Sequence, residues 1–532
     1  MKYLKYLNEA INYCQELKKD CLSKINDVLY VESKLILLEE KLLIEQDHQV
    51  KTIILDHLAH VYNELGVSDL NLSFLDMAEG YFRQIDMNIL IDGSEYETTF
   101  RRARNYFYQY RVRKIKSQDK RIHFDSYKSF KTYLVPAHSI YQKCFRTGII
   151  EDRLKSELIR KYIIIDLAHI SIEMNRWVEI EYYISFLPDI DSSFTSFLLK
   201  AVATDAYVKN SHATPHYKVS SYIIQNCFNA LKFSDLGAKN IESVSKLMSE
   251  YAALLGDTQV SIIEEKSKTE KHLDQEKPIK ISAYQKWTLQ KYLALNEHSI
   301  YCNCSLAKRD DLYVRTGHKH THKKWLYDLQ LLIEHLKFDF AEARLALYNS
   351  QKEVNVQNSK SVKNRIRGGY VELNTKNRML ISSFKQAYSI LDRVAVSLFS
   401  IFDDVESRGV YFHDAFDYLK NKVDIGSKPY LMAIESLAYE LDHQNKQGNF
   451  REYKTWRDAI EHNYFFLSNS EDLEVVKARY SNLNRIEIIS TNDFNSKCYH
   501  LLQICRSTIF TLTFLMRNES CRRFFPKSSH SE

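Results

Sequence analysis

The sequence predicts an all-α protein, and two observations carry that prediction. Among 532 residues there are only 12 Gly and 6 Pro, against average usage of about 7% and 5%. Sheets and barrels need many turn residues, whereas stacked helices need few. Apolar residues also recur at three- and four-residue steps through most of the chain, the pattern of amphipathic helices. The length is too great for one core, so two to four domains are expected. A composition of 45% hydrophobic and 27% charged residues describes a globular chain. The formal charge of +6 is mild at this length and does not by itself announce nucleic acid.

The nine cysteines are scattered singly apart from Cys302 and Cys304, which fits a reducing, cytoplasmic setting. The N-terminus "MKYLKYLNEAINYCQELKKD" lacks the apolar core of a signal peptide. "TIFTLTFLM", Thr508 to Met516, is too short to span a bilayer, so no membrane partner is expected. No glycine-rich phosphate loop, G-x-S-x-G elbow or H-E-x-x-H occurs, and no cofactor is expected.

Residues 1–262 read as an array of amphipathic helices, each followed by a short polar turn. "LDHLAHVYNELG" ends in Gly66, placed as a helix C-cap. "LSFLDMAEGYFRQI" and "RKYIIIDLAHISIEMNRWVEIEYYISFL" repeat the design. The array resembles the tetratricopeptide class of helical repeat, without its Pro endings or its regular phase. Within it, "RRARNYFYQYRVRKIKSQDKR" gathers nine basic residues, one acid and four aromatics. One reading is an RNA-facing stripe using Arg101, Arg102, Arg104, Arg111 and Arg113 for phosphates, with rings for bases. The other, commoner for aromatics at helical spacing, is a solvated basic face over a buried aromatic one.

A charged linker is expected at 263–282 and a connecting helical region at 283–350. A second linker at 351–374 carries the Gly368-Gly369 pair. In the connecting region His298, Cys302, Cys304, His318, His320 and His322 raise a zinc question that their spacing leaves open.

Residues 375–525 read as a four-helix bundle, followed by a tail at 526–532. In the first helix Leu380, Phe384, Ala387, Leu391, Val394, Leu398 and Ile401 share a face. The second has Pro429 in its first turn, then Leu431, Ile434, Ala438 and Leu441. The third is "REYKTWRDAIEHNYFFL". In the fourth, Phe494, Cys498, Leu501, Cys505, Ile509, Leu512 and Met516 line one side, with Asn492 and Asp493 suited to capping.

The third helix holds Arg457 and His462. That R-x-x-x-x-H spacing recurs by chance in "RTGHKH" (Arg315 to His320) and "RGVYFH" (Arg408 to His413), so spacing alone decides nothing. Residues five apart on a helix lie about 140° apart, whereas Asp458 and His462, or Arg457 and Glu461, share a stripe. Two surface ion pairs would account for that pattern. The alternative is cleavage of RNA without a metal. There a base takes a proton from the ribose 2′-hydroxyl, an acid protonates the leaving 5′-oxygen, and a fixed cation offsets phosphoryl charge. Histidine serves either proton role near neutrality, and arginine offers a forked, permanent cation. Asp458 can hold the imidazole, and a second copy of the chain would complete the cleft.

The bundle resembles the HEPN superfamily, whose ribonuclease members carry Arg, a polar residue, three more residues and His on the third bundle helix. "RDAIEH" has that form. The likeness runs from about Tyr284 to Arg517 through "YQKWTLQKYLALN", "RDDLYV", "KFDFAEARLALYNSQ" and "FKQAYSILDRVAVSLFSIFD", a bacterial HEPN branch preceded by helical repeats. A run like Asn-Pro-x-Asn-Asp expected after the Trp segment reads "NEHSIYCNC" instead. The resemblance implies catalytic Arg457 and His462, an assisting Asp458, and supporting roles for Asp392 and Glu461. It also implies a homodimer through the bundle, an RNA substrate, a toxin or phage-defence role, and a regulatory or antitoxin partner. A noncatalytic scaffold, RNA-binding or sensor protein is the competing expectation.

Overall fold

The computed structural model describes residues 2–524 apart from 86–93, 119–125, 151–153, 155, 188–193, 212–216, 233–237, most of 256–279, 303–304, 315–322, 353–373, most of 403–427, 442–449, 451, 470–472 and 482–484. The described residues are all-α but for one pair of short strands. It divides into two compact units, Met1–Ile170 and Ser171–Glu532. Most of the expected linkers at 263–282 and 351–374 lie outside the described residues, as does the tail.

In the first unit, α1 (Lys2–Ser23), α2 (Val28–Ile44), α4 (Leu72–Phe82) and α5 (Ser94–Gln118) pack around α3 (His48–Ser68), followed by α6 (Val135–Lys143) and α7 (Glu157–Glu173). Three starts are fixed by side-chain caps. The carboxylates of Asp27 and Asp47 accept from the backbone N–H of Tyr30 and Val50, and the Asn71 carbonyl oxygen accepts from Ser73. Gly66 is not the C-cap the sequence suggested, because α3 runs on to Ser68. A Cβ at Gly66 would stand 2.6 Å from Leu75 Cγ and 3.0 Å from its backbone nitrogen. The glycine is there to let α3 and α4 approach.

The second unit continues with α8 (Phe194–Asn210), α9 (Tyr217–Leu231), α10 (Ala238–Leu255) and α11 (Ala283–Gln290). Its C-terminal half holds α12 (Lys323–Ser350), α13 (Thr375–Ile401), α14 (Lys428–Leu441), α15 (Glu452–His462), α16 (Leu473–Arg479) and α17 (Thr491–Phe524). Every apolar position predicted for the faces of α13, α14 and α17 is buried. α12, expected in a connecting region, packs against both α13 and α17. Asn374 caps α13 through the N–H of Asn377. Asn492 and Asp493 fall inside the first turn of α17 instead of preceding it, and Asp493 holds Lys497 at 3.1 Å.

Buried polar groups tie the earlier part of this unit to α14 and α17. Arg176 donates to both carboxylate oxygens of Glu179 at 2.8 Å and to Glu440 at 2.6 Å, while Ser507 donates to Glu179 at 2.6 Å. Arg506, fully buried, donates to the carbonyls of Ala294 and Val178 and to the Ser299 hydroxyl. Burial without a paired carboxylate pushes its pKa down to about 9, although Glu179 and Asp310 act in the opposite sense.

The third bundle helix differs from its expected length. It ends at His462, and "YFFLS" forms β1 (Tyr464–Ser468), paired in parallel with β2 (Ile486–Ser490). Successive aromatic residues suit a pleated, half-buried strand better than a helix face. The two parallel strands need a crossover, which carries α16.

Candidate active site

The site is set by which side of α15 is buried. Tyr453, Trp456 and Ala459 point into the unit, where Trp456 meets Phe384 of α13 at 6.0 Å, Phe494 of α17 at 5.3 Å and Phe465 of β1 at 6.5 Å between ring centroids. The Tyr453 hydroxyl lies 2.8 Å from buried His500 Nδ1, locking the same side one turn earlier. With that side fixed, helical geometry turns Arg457 and Glu461 toward one flank, and Asp458 and His462 outward.

The flank that receives Arg457 is a stripe of α13. Lys385, Tyr388 and Asp392 stand three and four residues apart, hence on one face. Lys385 pairs with Glu461 at 3.1 Å, and the Arg457 guanidinium lies 6.0 Å from the centre of the Tyr388 ring. Asp392 is half-buried, and its charge acts on Arg457. Arg457 Nη1 donates to Asp458 Oδ1 at 3.0 Å. Partial burial pulls the arginine pKa down, but the Asp458 hydrogen bond and the charges of Asp392, Asp458 and Glu461 outweigh it and raise it. Arg457 is therefore a permanent cation, half-buried, with one guanidinium nitrogen bonded to its helix neighbour. His462 is exposed at the last residue of α15, open to solvent beside the start of β1.

Of the expected candidates, Arg457, Asp392 and Glu461 come together where α15 meets α13, Asp458 joins them through its hydrogen bond to Arg457, and His462 stands apart, exposed at the end of α15. The sequence reading missed Lys385 and Tyr388, although their spacing from Asp392 marks them as one face of α13. It also missed the strands that follow His462.

The arginines of the basic stripe are engaged within the first unit. Arg101 contacts Asp56 at 3.0 Å and Glu97 at 2.9 Å. Arg102 contacts Glu79 at 3.2 Å, Arg104 contacts Glu64 at 3.0 Å, and Arg113 reaches Asp76 at 3.7 Å. Exposed Arg111 lies over the rings of Phe107 and Tyr108. The stripe thus ties α5 to α3 and α4.

Of the zinc candidates, Cys304, His318, His320 and His322 lie outside the described residues. Cys302 is buried, and His298 Nδ1 lies 2.9 Å from the Tyr301 hydroxyl. Among the described residues no group of three or more His, Cys, Asp or Glu is placed to hold a metal. The rival spacings at Arg315–His320 and Arg408–His413 also lie outside the described residues. No described helix is long and apolar enough to cross a membrane.

Neither the curated proteins nor the solved structures include a match to this chain. Residues 321–519 do match the LA2681-like HEPN family, a span that runs from just before α12 into α17 and contains every residue gathered at the α13–α15 junction. Residues 321–519 of this chain are a HEPN domain, similar to the LA2681-like family.

Proposed function

We propose that this protein is a metal-independent endoribonuclease whose HEPN domain cuts RNA with Arg457 and His462. The carrying observation is the pairing of a half-buried, permanently charged Arg457 with a solvent-facing His462 on one anchored helix of that domain. His462 would exchange the proton with the ribose 2′-hydroxyl or the leaving 5′-oxygen, and Arg457 would offset charge on the phosphoryl oxygens. Attack by the 2′-oxygen yields a 2′,3′-cyclic phosphate, or its 3′-phosphate hydrolysis product, and a 5′-hydroxyl. Asp458 holds Arg457 until substrate phosphate competes for the fork, an exchange of one charge-assisted hydrogen bond for another. Asp392 and Glu461 support the electrostatics, and a second copy of the domain supplies the other wall of the cleft. A toxin or defence effector in the cytoplasm, restrained by a partner, is the role that fits such an activity.

One observation favours a second reading. Arg457 Nη1 is already engaged by Asp458 on its own helix, as expected of a structural ion pair in a scaffold or sensor that binds RNA or a partner without cutting. Arg457→Ala and His462→Ala separate the two. An endoribonuclease loses cleavage in both variants while the fold is kept, and a scaffold retains its binding in both.

A further inference from the structure

Two residues beyond His462 the chain enters β1, and its first residue, Tyr464, is 68% exposed. This ring is nevertheless firmly held. The Tyr464 N–H donates to the Arg485 carbonyl at 3.1 Å, and Tyr464 is the register partner of Ile486 in β2. The ring lies parallel to that of Phe466, within 4° and with centroids 6.4 Å apart. Tyr464 and Phe466 are two apart on a strand and so share a face. Phe466 packs into a small cluster with Val476, Ile488, Leu473, Tyr480 and Ile486. Tyr464 is thus the open end of an aromatic face whose other end is anchored.

Arg485 immediately precedes that register partner, Ile486, and supplies the carbonyl that receives the Tyr464 N–H. Its φ of 68° is in the left-handed region, a costly conformation for a residue with a side chain and one that concentrates at functional positions. The residue is exposed, and no acidic side chain pairs with it among the described residues. A flat ring in water and an unneutralised guanidinium at adjacent strand ends match the two halves of a nucleotide, base and phosphate. Two residues of chain reach at most about 7 Å, so the Tyr464 backbone lies within about one nucleotide spacing of His462, and Arg485 is on the strand end paired with it.

We infer that Tyr464 and Arg485 form a shelf for one unpaired nucleotide of single-stranded RNA beside the scissile phosphate, the base stacking on Tyr464 and its phosphate meeting Arg485. The inference rests on the endoribonuclease reading for its substrate. It adds a preference for unpaired RNA, because a base inside a duplex cannot reach the ring.

The test uses full-length His462→Ala protein, which binds without cutting, with labelled oligouridine and oligoadenine read by anisotropy over a range of salt. Tyr464→Leu in that background is expected to weaken binding about 10-fold, and Tyr464→Trp to retain it. Arg485→Gln should weaken binding and reduce the salt slope by about 0.7. Unchanged affinity in Tyr464→Leu overturns the shelf, as does a change in oligomeric state by light scattering with RNA affinity intact. Absence of binding by the parent overturns it too. The two readings fail separately. If wild type cuts no RNA but binding depends on Tyr464, the shelf stands and cleavage falls. If wild type cuts and Tyr464→Leu matches it in cutting and binding, cleavage stands and the shelf falls.

Discussion

Arg457 and Asp458 illustrate how little a surface ion pair needs to contribute to folding in order to matter for chemistry. Their contact at 3.0 Å is half-exposed, and such pairs contribute about 0–1 kcal/mol. Arg457→Lys should therefore leave the urea midpoint unchanged. It keeps the charge but loses the fork, so the account expects cleavage to fall by about 100-fold, measured as kcat on single-stranded RNA. A buried pair behaves differently. Asp310 is drawn upward by burial, but the hydrogen bond and charge of Arg344 prevail and hold its pKa below the ordinary carboxylate value. A depressed folded-state pKa gives stability that is complete above the unfolded value of about 3.9 and is lost as pH falls through the folded one. Arg344→Met should lower stability at neutral pH, because it leaves the half-buried Asp310 carboxylate with the Leu295 N–H but no cation. Denaturant titrations at neutral pH and near pH 4 should show the gap to wild type narrowing, since protonation relieves the stranded carboxylate.

The helices show the same division between what local sequence states and what contacts decide. Gly66→Ala should lower the thermal midpoint, at a cost of about 1–3 kcal/mol, because the added methyl meets the Leu75 side chain and backbone. Trp456→Ala removes a buried ring touching Phe384, Phe465 and Phe494, and should cost about 3–5 kcal/mol. Cleavage should drop with it, since α15 loses the anchor that aims Arg457. Most of the bundle was legible beforehand: the faces of α13, α14 and α17 follow from apolar spacing, and the buried residues are the predicted ones. Gly66 was misread because a glycine near a helix end has the same local signature whether it caps the chain or admits a neighbour. The end of α15 was misread because "NYFFL" continues a helical apolar pattern, while the choice of strand depends on Ile486 to Ser490, more than twenty residues later. At the site, Arg457, Asp458 and His462 were visible as a motif. Lys385 and Tyr388 become partners only once α13 is seen beside α15.

Across the second unit, long-range buried charges act beside aromatic contacts such as Trp177 against Tyr430 and Phe514. Arg176 joins Glu179 to Glu440, and Arg517 at the C-terminal end of α17 pairs with Glu297 at 3.1 Å. These contacts fasten the segment before α12 to the last helix of the HEPN domain, so the compact unit reaches back beyond the family match. Arg176→Met should remove the cation shared by two interior carboxylates and cost about 3–5 kcal/mol, read as a lower urea midpoint. Glu440→Gln, which leaves Arg176 its contact with Glu179, should cost less.

Whether Arg457 and His462 cut RNA is decided by mapping the ends of the cleaved strands. Wild type and His462→Ala are incubated with bulk tRNA and total RNA in EDTA, and the cut ends are mapped. Wild type is expected to leave 5′-hydroxyl and 2′,3′-cyclic phosphate or 3′-phosphate ends, and a folded His462→Ala variant no cleavage at all. Equal cutting by both proteins, or wild-type cutting that EDTA abolishes, would contradict it.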